Sequence, residues 1–202
     1  MTRIIASGAR TISAMTDLVP NSPDLTFILG GARSGKSAFA ERLATQSGLP
    51  VTYVATAAVT GEPEMEARIA HHRASRPGHW ETVEAGRELA RTLREVARDG
   101  HCVLVDCLPL WLAGWLCPPD DHPDGPATQA QWQSVVDTLA QTLLSLPGKI
   151  IVVSNEIGLG VIPMGALTRR YVDELGRLNQ RVAALAPHVR FVVAGLPMAV
   201  KG

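Results

Sequence analysis

One stretch constrains this chain more than any other. Residues 30–37 read GGARSGKS, a full match to the phosphate-binding loop pattern G-x-x-x-x-G-K-[ST]. An apolar run at 25–29 precedes it, and residues 37–45 have helical character. Glycines let backbone N–H groups turn toward phosphate oxygens, and the next helix presents its positive end to the anion. Lys36 is expected to reach the outer phosphates and the Ser37 hydroxyl to ligate Mg²⁺. We therefore predict a nucleoside triphosphate site; the alternative is a glycine-rich turn with a chance Lys-Ser.

Composition limits the class of protein. The chain has 202 residues, of which 46% are hydrophobic and 19% charged, values typical of a globular domain. Residues 25–202 are expected to form one domain, preceded by a poorly ordered leader at 1–24 that lacks the apolar segment of a signal peptide. A formal net charge of zero gives no support for general binding to nucleic acid or membrane surfaces. Cys102, Cys107 and Cys117 lack metal-ligand spacing and are interpreted as reduced thiols of a cytoplasmic protein, the first two in or near the core.

Apolar strands and amphipathic helices alternate along the sequence. The predicted strands are 25–29, 50–55, 81–84, 101–106, 149–154 and 189–194, with a small edge strand at 198–200. The predicted helices are 37–45, 62–74, 86–99, 131–146 and 167–185. This alternation predicts an α/β fold, a single P-loop NTPase-like domain whose mainly parallel sheet carries helices on both faces.

Polar residues follow several of these strands, where ligands bind in open α/β sheets. Asp106 ends one strand and is a candidate for Mg²⁺ or nucleotide, or else the cap of the next helix. Thr56 follows another strand; it either contacts nucleotide or is a simple loop residue. Asn155 and Glu156, followed by spaced glycines, indicate a ligand-facing loop, with an ordinary turn as the alternative.

Two further stretches carry no predicted chemistry. Trp111 and Trp115, four residues apart, are interpreted as a packing or oligomer-facing stripe. Residues 117–128 form the clearest flexible loop. The acidic residues around His122 in that loop are interpreted as a solvated turn rather than a metal cluster.

The predicted helix at 62–74 contains a histidine pair. Met65, Ile69 and His72 share one face, and His71 lies about 100° away around the helix. If Met65 and Ile69 face the protein body, His72 does too. The alternative is a histidine that caps carbonyls at the negative end of the helix. Arg73 and Arg76 would suit a polyanionic phosphate, although surface arginines are common.

Several motifs together resemble one known family. They are GGARSGKS at 30–37, A-R-I-x-H-H at 67–72, R-P-x-H-W at 76–80, N-E-x-G-x-G at 155–160 and GRLNQR at 176–181. Over about residues 27–201 the chain resembles the bifunctional adenosylcobinamide kinases / adenosylcobinamide-phosphate guanylyltransferases of cobalamin biosynthesis. The phosphate loop alone is shared by many families, whereas this combination is specific.

The resemblance implies two activities. The hydroxyl of adenosylcobinamide first receives a γ-phosphate from ATP or GTP. The second histidine of the pair, His72, then carries a GMP-histidine intermediate, and GMP passes to the phosphate of the first product to give adenosylcobinamide-GDP. Lys36 and the loop amides would hold the β- and γ-phosphates. The resemblance also implies a homo-oligomer, a trimer.

The resemblance also assigns residues to the nucleotide. The implied nucleotide-binding residues are Gly30, Gly31, Ala32, Arg33, Ser34, Gly35, Lys36, Ser37, Ala55, Thr56, Ala57, Arg73, Ala74, Ser75, Arg76, Glu84 and Asp106. Glu84 is expected to read the guanine or ribose. Asp106 occupies a position where a relative carries Glu, and with Ser37 it is the expected protein contribution to Mg²⁺ binding.

Two other functions remain open on the sequence. The chain is alternatively a P-loop small-molecule kinase without guanylyltransferase activity, or a nucleotide-binding regulatory switch. The histidine pair favours the bifunctional enzyme, because neither alternative needs an inward histidine near the triphosphate. The guanine-reading Asn/Thr-Lys-x-Asp pattern of switches is absent from the sequence. The preferred phosphate donor and the corrinoid-binding residues are not predicted.

Overall fold

The computed structural model describes residues 23–56, 77–119 and 122–202. The leader up to residue 22 and the predicted helix at 62–74 lie outside the described residues.

Over most of the chain strands and helices alternate as the sequence predicts; the helix at residues 108–116 is not among the predicted helices. In chain order the elements are β1 (Asp24–Gly30), α1 (Lys36–Gln46), β2 (Val51–Ala55), β3 (Glu81–Glu84), α2 (Leu89–Val96), β4 (Cys102–Asp106), α3 (Leu108–Leu116), α4 (Gln129–Ser145), β5 (Lys149–Val153), α5 (Ala166–Leu185), β6 (His188–Val193) and β7 (Leu196–Lys201).

The strands described here form one sheet in the order β3-β2-β4-β5-β1-β6-β7. All neighbouring strands are parallel except β7, which runs antiparallel to β6 at one edge. Strand β1, which leads into the phosphate loop, lies inside the sheet between β5 and β6. The predicted fold class, a mainly parallel α/β sheet, is confirmed.

Alternating strand residues divide the core between the two faces of the sheet. We call the face covered by α2, α3, α4 and α5 the α5 face; its buried strand residues include Leu25, Phe27, Val103, Val105, Ile150 and Val152. The opposite side is the α1 face, where Ile28, Tyr53, Leu104, Ile151 and Val153 pack with Ala40 and Ala44 of α1. The prediction of helices on both faces is therefore confirmed, and residues two positions apart on a strand share a face.

The helix predicted at 86–99 is too long. The observed α2 spans only Leu89–Val96. Gly86 has a φ of 50°, the left-handed region that glycine tolerates, and the residues around it form a turn. Ala97 is already extended. The apolar periodicity of Leu89, Leu93 and Val96 locates the helix but not its ends.

The tryptophan stripe is a packing feature. Trp111 is 1% exposed and lies 5.2 Å from the ring centroid of Trp132 on α4. Trp115 is half-buried beneath the guanidinium of Arg87, which lies 4.9 Å from its ring centroid. Arg87 also donates to the carbonyl oxygens of Gly114 and Gly125, at 2.7 Å and 2.9 Å. Arg87 therefore ties the described part of the predicted loop at 117–128 to the helical layer.

The predicted location of Cys102 and Cys107 in or near the core is confirmed. Cys102 and Cys107 are buried, Cys117 is exposed, and all three are free. None of the helices in the described ranges is both long and apolar enough to cross a membrane.

Candidate active site

The phosphate loop is shaped by close contacts that require glycine. A Cβ at Gly30 would lie 2.5 Å from Oγ of Ser34 and 2.7 Å from the carbonyl oxygen of Val192. Gly35 has a φ of 90°, which disfavours any residue with a side chain. The glycines of the motif therefore allow the chain to turn sharply between β1 and α1.

The N-terminus of α1 opens onto this loop. Its N-cap is Gly35, which has no side chain to occupy the first N–H groups of the helix. These donors and the positive end of the helix are suited to an anion. The Lys36 ammonium lies over the loop, 3.5 Å from the carbonyl oxygen of Gly31. The loop therefore combines backbone donors with the cation of Lys36, as binding a triphosphate requires.

A turn at the far end of the chain supports the phosphate loop. The N–H of Gly195 donates a 2.7 Å hydrogen bond to the carbonyl oxygen of Ser34. Ala194 and Gly195, between β6 and β7, both have positive φ, 50° and 80°, as in a type I′ hairpin turn. This support was not predicted from the sequence. The Ala-Gly pair between two apolar runs is a hairpin signal, but it does not indicate what the turn contacts.

The predicted nucleotide residues of the strands share one edge of the sheet. The register pairs Glu84 of β3 with Ala55 of β2, Ala55 with Asp106 of β4, and Asp106 with Val153 of β5. Neighbouring strands are about 4.8 Å apart, which places Asp106 about 10 Å and Glu84 about 19 Å from β1 along this edge. A nucleotide with its phosphates at the loop can extend along the edge toward Glu84.

Asp106 is held by a buried tyrosine. The hydroxyl of Tyr53 donates a 2.7 Å hydrogen bond to Oδ2 of Asp106. By strand alternation with Leu104, the carboxylate lies on the α1 face, the same face as the first helix. The N-cap of α3 is Cys107, and no side chain caps that helix. The alternative that Asp106 caps the following helix is therefore excluded.

Thr56 is engaged with the backbone that follows Asp106. The side chain is buried, and its Oγ1 donates to the carbonyl oxygen of Cys107 at 2.7 Å and accepts from the Cys107 N–H at 2.9 Å. These contacts favour the structural alternative for Thr56. Its contact with nucleotide stays a prediction.

The segment Asn155–Glu156 continues β5 alongside the phosphate loop. Ser154 N donates to the carbonyl oxygen of Ile28 at 2.9 Å, and Glu156 N donates to that of Gly30 at 3.1 Å. The Glu156 carboxylate accepts the N–H of Gly158. This polar pair, predicted to face a ligand, therefore lies directly beside the loop.

Among the described residues, two buried side-chain oxygens in this region have no hydrogen-bond partner. They are Oγ of Ser34 and Oδ1 of Asn155. Buried polar atoms are nearly always paired, so the two atoms fit a site completed by a polar ligand.

The chemistry of this edge suits Mg²⁺ held jointly with phosphates. The hydroxyl of Ser37 and the carboxylate of Asp106 are hard oxygen ligands, which Mg²⁺ prefers. Among the described residues, no cluster of three or more His, Cys, Asp or Glu side chains is placed to hold a metal. Mg²⁺ is commonly bound through one or two protein groups plus substrate phosphates, and Ser37 and Asp106 have the ligand types that such a site uses.

The buried cysteine beside Asp106 is poorly suited to act as a nucleophile. Burial, reinforced by the neighbouring Asp106, raises the pKa of the Cys107 thiol to about 12. Cys107 therefore remains protonated at neutral pH.

Six predicted site residues lie outside the described part of the chain: Ala57, His72, Arg73, Ala74, Ser75 and Arg76. His71, the other histidine of the pair, lies outside it as well. The chain leaves the described region after Thr56, at the edge where the site lies, and returns at Pro77 ahead of β3. Thr56, the last described residue before the histidine pair, therefore lies at the edge of the sheet that carries the phosphate loop.

Comparisons with known proteins identify relatives over most of the chain. Residues 26–200 match the family model described as cobinamide kinase / cobinamide phosphate guanyltransferase. The bifunctional adenosylcobalamin biosynthesis protein CobP of Pseudomonas aeruginosa is 54% identical over 176 residues, which cover 87% of this chain and 96% of the relative. The bifunctional adenosylcobalamin biosynthesis protein CobU of Escherichia coli K12 is 36% identical over 182 residues, covering 88% of this chain and 99% of the relative.

Solved structures share the fold at low sequence identity. A protein of Pyrococcus horikoshii OT3 matches with a TM-score of 0.52 and 7% identity, over 90% of this chain and 88% of that one. The type III secretion ATPase EscN of enteropathogenic E. coli matches with a TM-score of 0.50 and 13% identity, over 85% of this chain and 43% of that one. At these identities the likeness concerns the fold alone.

Proposed function

Because the chain belongs to the cobinamide kinase / cobinamide phosphate guanyltransferase family, we propose that it catalyses two steps of adenosylcobalamin biosynthesis at one triphosphate site. In the first step the hydroxyl of adenosylcobinamide takes the γ-phosphate of ATP or GTP. In the second, GMP from GTP is joined to the new phosphate to give adenosylcobinamide-GDP. The observation that carries this proposal is the glycine-shaped phosphate loop, which meets Asp106 and Asn155 at the same sheet edge.

In the kinase step, the loop amides and Lys36 bind and orient the triphosphate. The backbone donors near Gly35 and the positive end of α1 stabilise negative charge without reorganising during the reaction. The Lys36 ammonium balances charge that develops on the transferred phosphoryl group. Ser37 and Asp106 would hold Mg²⁺, which supplies further charge neutralisation when bound.

In the guanylyl-transfer step, a nitrogen of neutral His72 attacks the α-phosphorus of GTP. A P–N bond forms, the bond from the α-phosphorus to the bridging oxygen breaks, and pyrophosphate leaves. A phosphate oxygen of the acceptor then attacks the same phosphorus, the P–N bond breaks, and the imidazole is released. The place of the histidine pair in the connection that starts beside Thr56, and the match to the family motif, support this assignment.

The remaining nucleotide contacts are proposed from where these residues lie in the sequence and the sheet. Glu84, at the end of edge strand β3, would meet the ribose or guanine. Ala55, Ala57 and residues 73–76 would line the nucleotide between Glu84 and the loop. We also propose that the protein is a homotrimer, on the resemblance to the family, and that it is cytoplasmic, on its free thiols.

A product assay separates this proposal from the two alternatives. The protein is incubated with adenosylcobinamide, ATP, GTP and Mg²⁺, and the corrinoids are separated by chromatography and mass spectrometry. The bifunctional enzyme yields first a phosphorylated corrinoid and then its GDP derivative. Phosphorylation without the GDP derivative would identify a simple kinase. Nucleotide binding without either product would identify a regulatory switch.

A further inference from the structure

We propose that the side-chain carboxamide of Asn155 positions the acceptor hydroxyl for phosphoryl transfer. This role rests on the proposed kinase function. It places Asn155 beside the substrate hydroxyl that attacks the γ-phosphate. Oδ1 of Asn155 accepts the hydrogen bond of the attacking hydroxyl and holds its oxygen toward the phosphorus.

Strand alternation places Asn155 on the correct face. Ser154 points to the α5 face, where its hydroxyl donates to Oδ1 of Asn179 on α5 at 2.7 Å. Val153 belongs to the core of the α1 face. Asn155, two residues beyond Val153, therefore projects from the α1 face, on which α1 and the phosphate loop lie.

Backbone pairing fixes how close Asn155 lies to the loop. The hydrogen bonds of Ser154 to Ile28 and of Glu156 to Gly30 bracket Asn155, so it runs directly beside the end of β1. Strand β5 lies between β1 and β4, and the register of β5 with β4 pairs Val153 with Asp106. Asn155 is thus flanked by the phosphate loop on one side and the strand of Asp106 on the other.

The backbone of Asn155 is held in place. Nδ2 of Asn179 donates a 2.9 Å hydrogen bond to the carbonyl oxygen of Asn155, and Asn179 is itself only 6% exposed. With the Glu156–Gly30 bond, this contact fixes the residue from both sides. A preorganised acceptor loses little freedom when it binds a substrate group.

The unpaired Oδ1 of Asn155 can accept a hydrogen bond only from a donor group. Oδ1 of Asn155 is buried and has no hydrogen-bond partner in the part of the chain that the structure describes. Such an arrangement is costly unless a ligand completes it. Its complement must be a donor, and ionised phosphate oxygens only accept. The attacking hydroxyl is the donor that the kinase reaction brings to this position.

Asn155 is chemically unchanged by the phosphoryl transfer. The hydroxyl oxygen forms a bond to the γ-phosphorus, and the bond from that phosphorus to the β–γ bridging oxygen breaks. The nucleoside diphosphate leaves with the electron pair. The hydroxyl proton passes to an oxygen of the transferred phosphoryl group. Asn155 orients the hydroxyl during this displacement and takes no proton, because a carboxamide is not a base at neutral pH.

The test compares two reactions of the same protein. Asn155→Ala is assayed for phosphorylation of adenosylcobinamide, for GTP affinity, and for labelling of the protein by α-labelled GTP. We expect kcat for phosphorylation to fall about 100-fold, the scale of a misplaced reactant. GTP affinity and labelling should stay within about twofold of the unmodified protein, because neither involves the acceptor hydroxyl.

Ser154→Ala serves as the matched control. It removes the neighbouring hydrogen bond on the α5 face, and it should lower stability while kcat for phosphorylation stays within about threefold. An equal loss in both variants would show that Asn155 acts only by supporting the backbone, and would overturn the inference.

The other outcomes are equally decisive. If Asn155→Ala lost phosphorylation and labelling equally, Asn155 would contact the nucleotide or a metal-bound water rather than the acceptor hydroxyl. If phosphorylation were unchanged, Asn155 would have no role in the reaction. Either result would overturn the inference. Absence of phosphorylation by the unmodified protein would overturn the proposed kinase function, and this inference with it.

Discussion

The hydroxyl of Tyr53 on β2 donates a 2.7 Å hydrogen bond to Oδ2 of Asp106 on β4. Tyr53 is 2% exposed, so the carboxylate is oriented from within the core. Groups behind a metal ligand typically change metal affinity or activity by about 10–100-fold when removed. For Tyr53→Phe we therefore expect the Mg²⁺ concentration for half-maximal kinase activity to rise about tenfold, measured by titrating Mg²⁺ at saturating ATP.

The second tyrosine of the chain supplies a control for that measurement. Tyr171 donates a 2.9 Å hydrogen bond to the carbonyl oxygen of Pro109. Tyr171→Phe should cost about 1 kcal/mol of stability, like Tyr53→Phe, and should leave the Mg²⁺ requirement unchanged. A similar shift in both variants would mean that the Tyr53 effect reflects stability rather than Asp106.

The two adjacent glycines of the phosphate loop should respond differently to alanine. A Cβ at Gly30 meets Ser34 Oγ and the Val192 carbonyl at 2.5 Å and 2.7 Å, whereas a Cβ at Gly31 meets no heavy atom within 4 Å. We expect Gly30→Ala to lower the free energy of unfolding by about 1–3 kcal/mol, as overpacking does. Gly31→Ala should change it by less than about 0.5 kcal/mol. Urea unfolding without nucleotide measures both, and equal effects would contradict the described loop geometry.

A buried histidine should make stability depend on pH. Burial, aided by the nearby cation of Arg98 and opposed by Glu81, lowers the pKa of His101 below its ordinary 6.5. Its Nε2 lies 2.8 Å from the Thr52 hydroxyl. As pH falls below about 6.5, His101 becomes protonated in the unfolded chain but stays neutral in the folded chain. The free energy of unfolding therefore decreases toward acid pH.

His101→Gln tests this linkage. Urea unfolding at about pH 7 and pH 5 should show a smaller loss of stability in the variant than in the unmodified protein. Equal losses in the two proteins would show that other groups account for the pH dependence.

The three thiols should differ in reactivity. Burial raises the pKa of Cys102 to about 11 and that of Cys107 to about 12, whereas Cys117 is exposed. At about pH 8 the thiolate fraction of Cys102 is then about one in a thousand. We expect a disulfide reagent to titrate one thiol in the native protein and three in denaturant. Cys117→Ser should leave none reactive in the native state; rapid reaction of a second thiol would show that the core opens.

The sequence predicted most of the sheet because each buried strand is a short apolar run bounded by turn residues. The sequence predicted Asp106 as a site residue but left its role open, since an Asp between a strand and a helix can bind a ligand or cap the helix. Only the Tyr53 contact and the uncapped α3 decide between the two.

The support of Ser34 by Gly195 could not be predicted. It joins segments far apart in the chain, and no local pattern encodes that contact. The excess length of the helix predicted at 86–99 has a different cause. Apolar periodicity reports which face is buried, but the left-handed Gly86 and the extended Ala97 set where the helix ends.

We propose that this triphosphate site transfers GMP through His72. The most direct measurement is incubation with α-labelled GTP and Mg²⁺, followed by denaturation and peptide mapping. We predict one guanylyl group on His72, with the lability to acid and stability to base of a phosphoramidate. His72→Ala should abolish the label while phosphorylation of adenosylcobinamide survives, and His71→Ala should retain it. Label that persists in His72→Ala would contradict the assignment of the residue, and an unlabelled native protein would contradict the transferase mechanism.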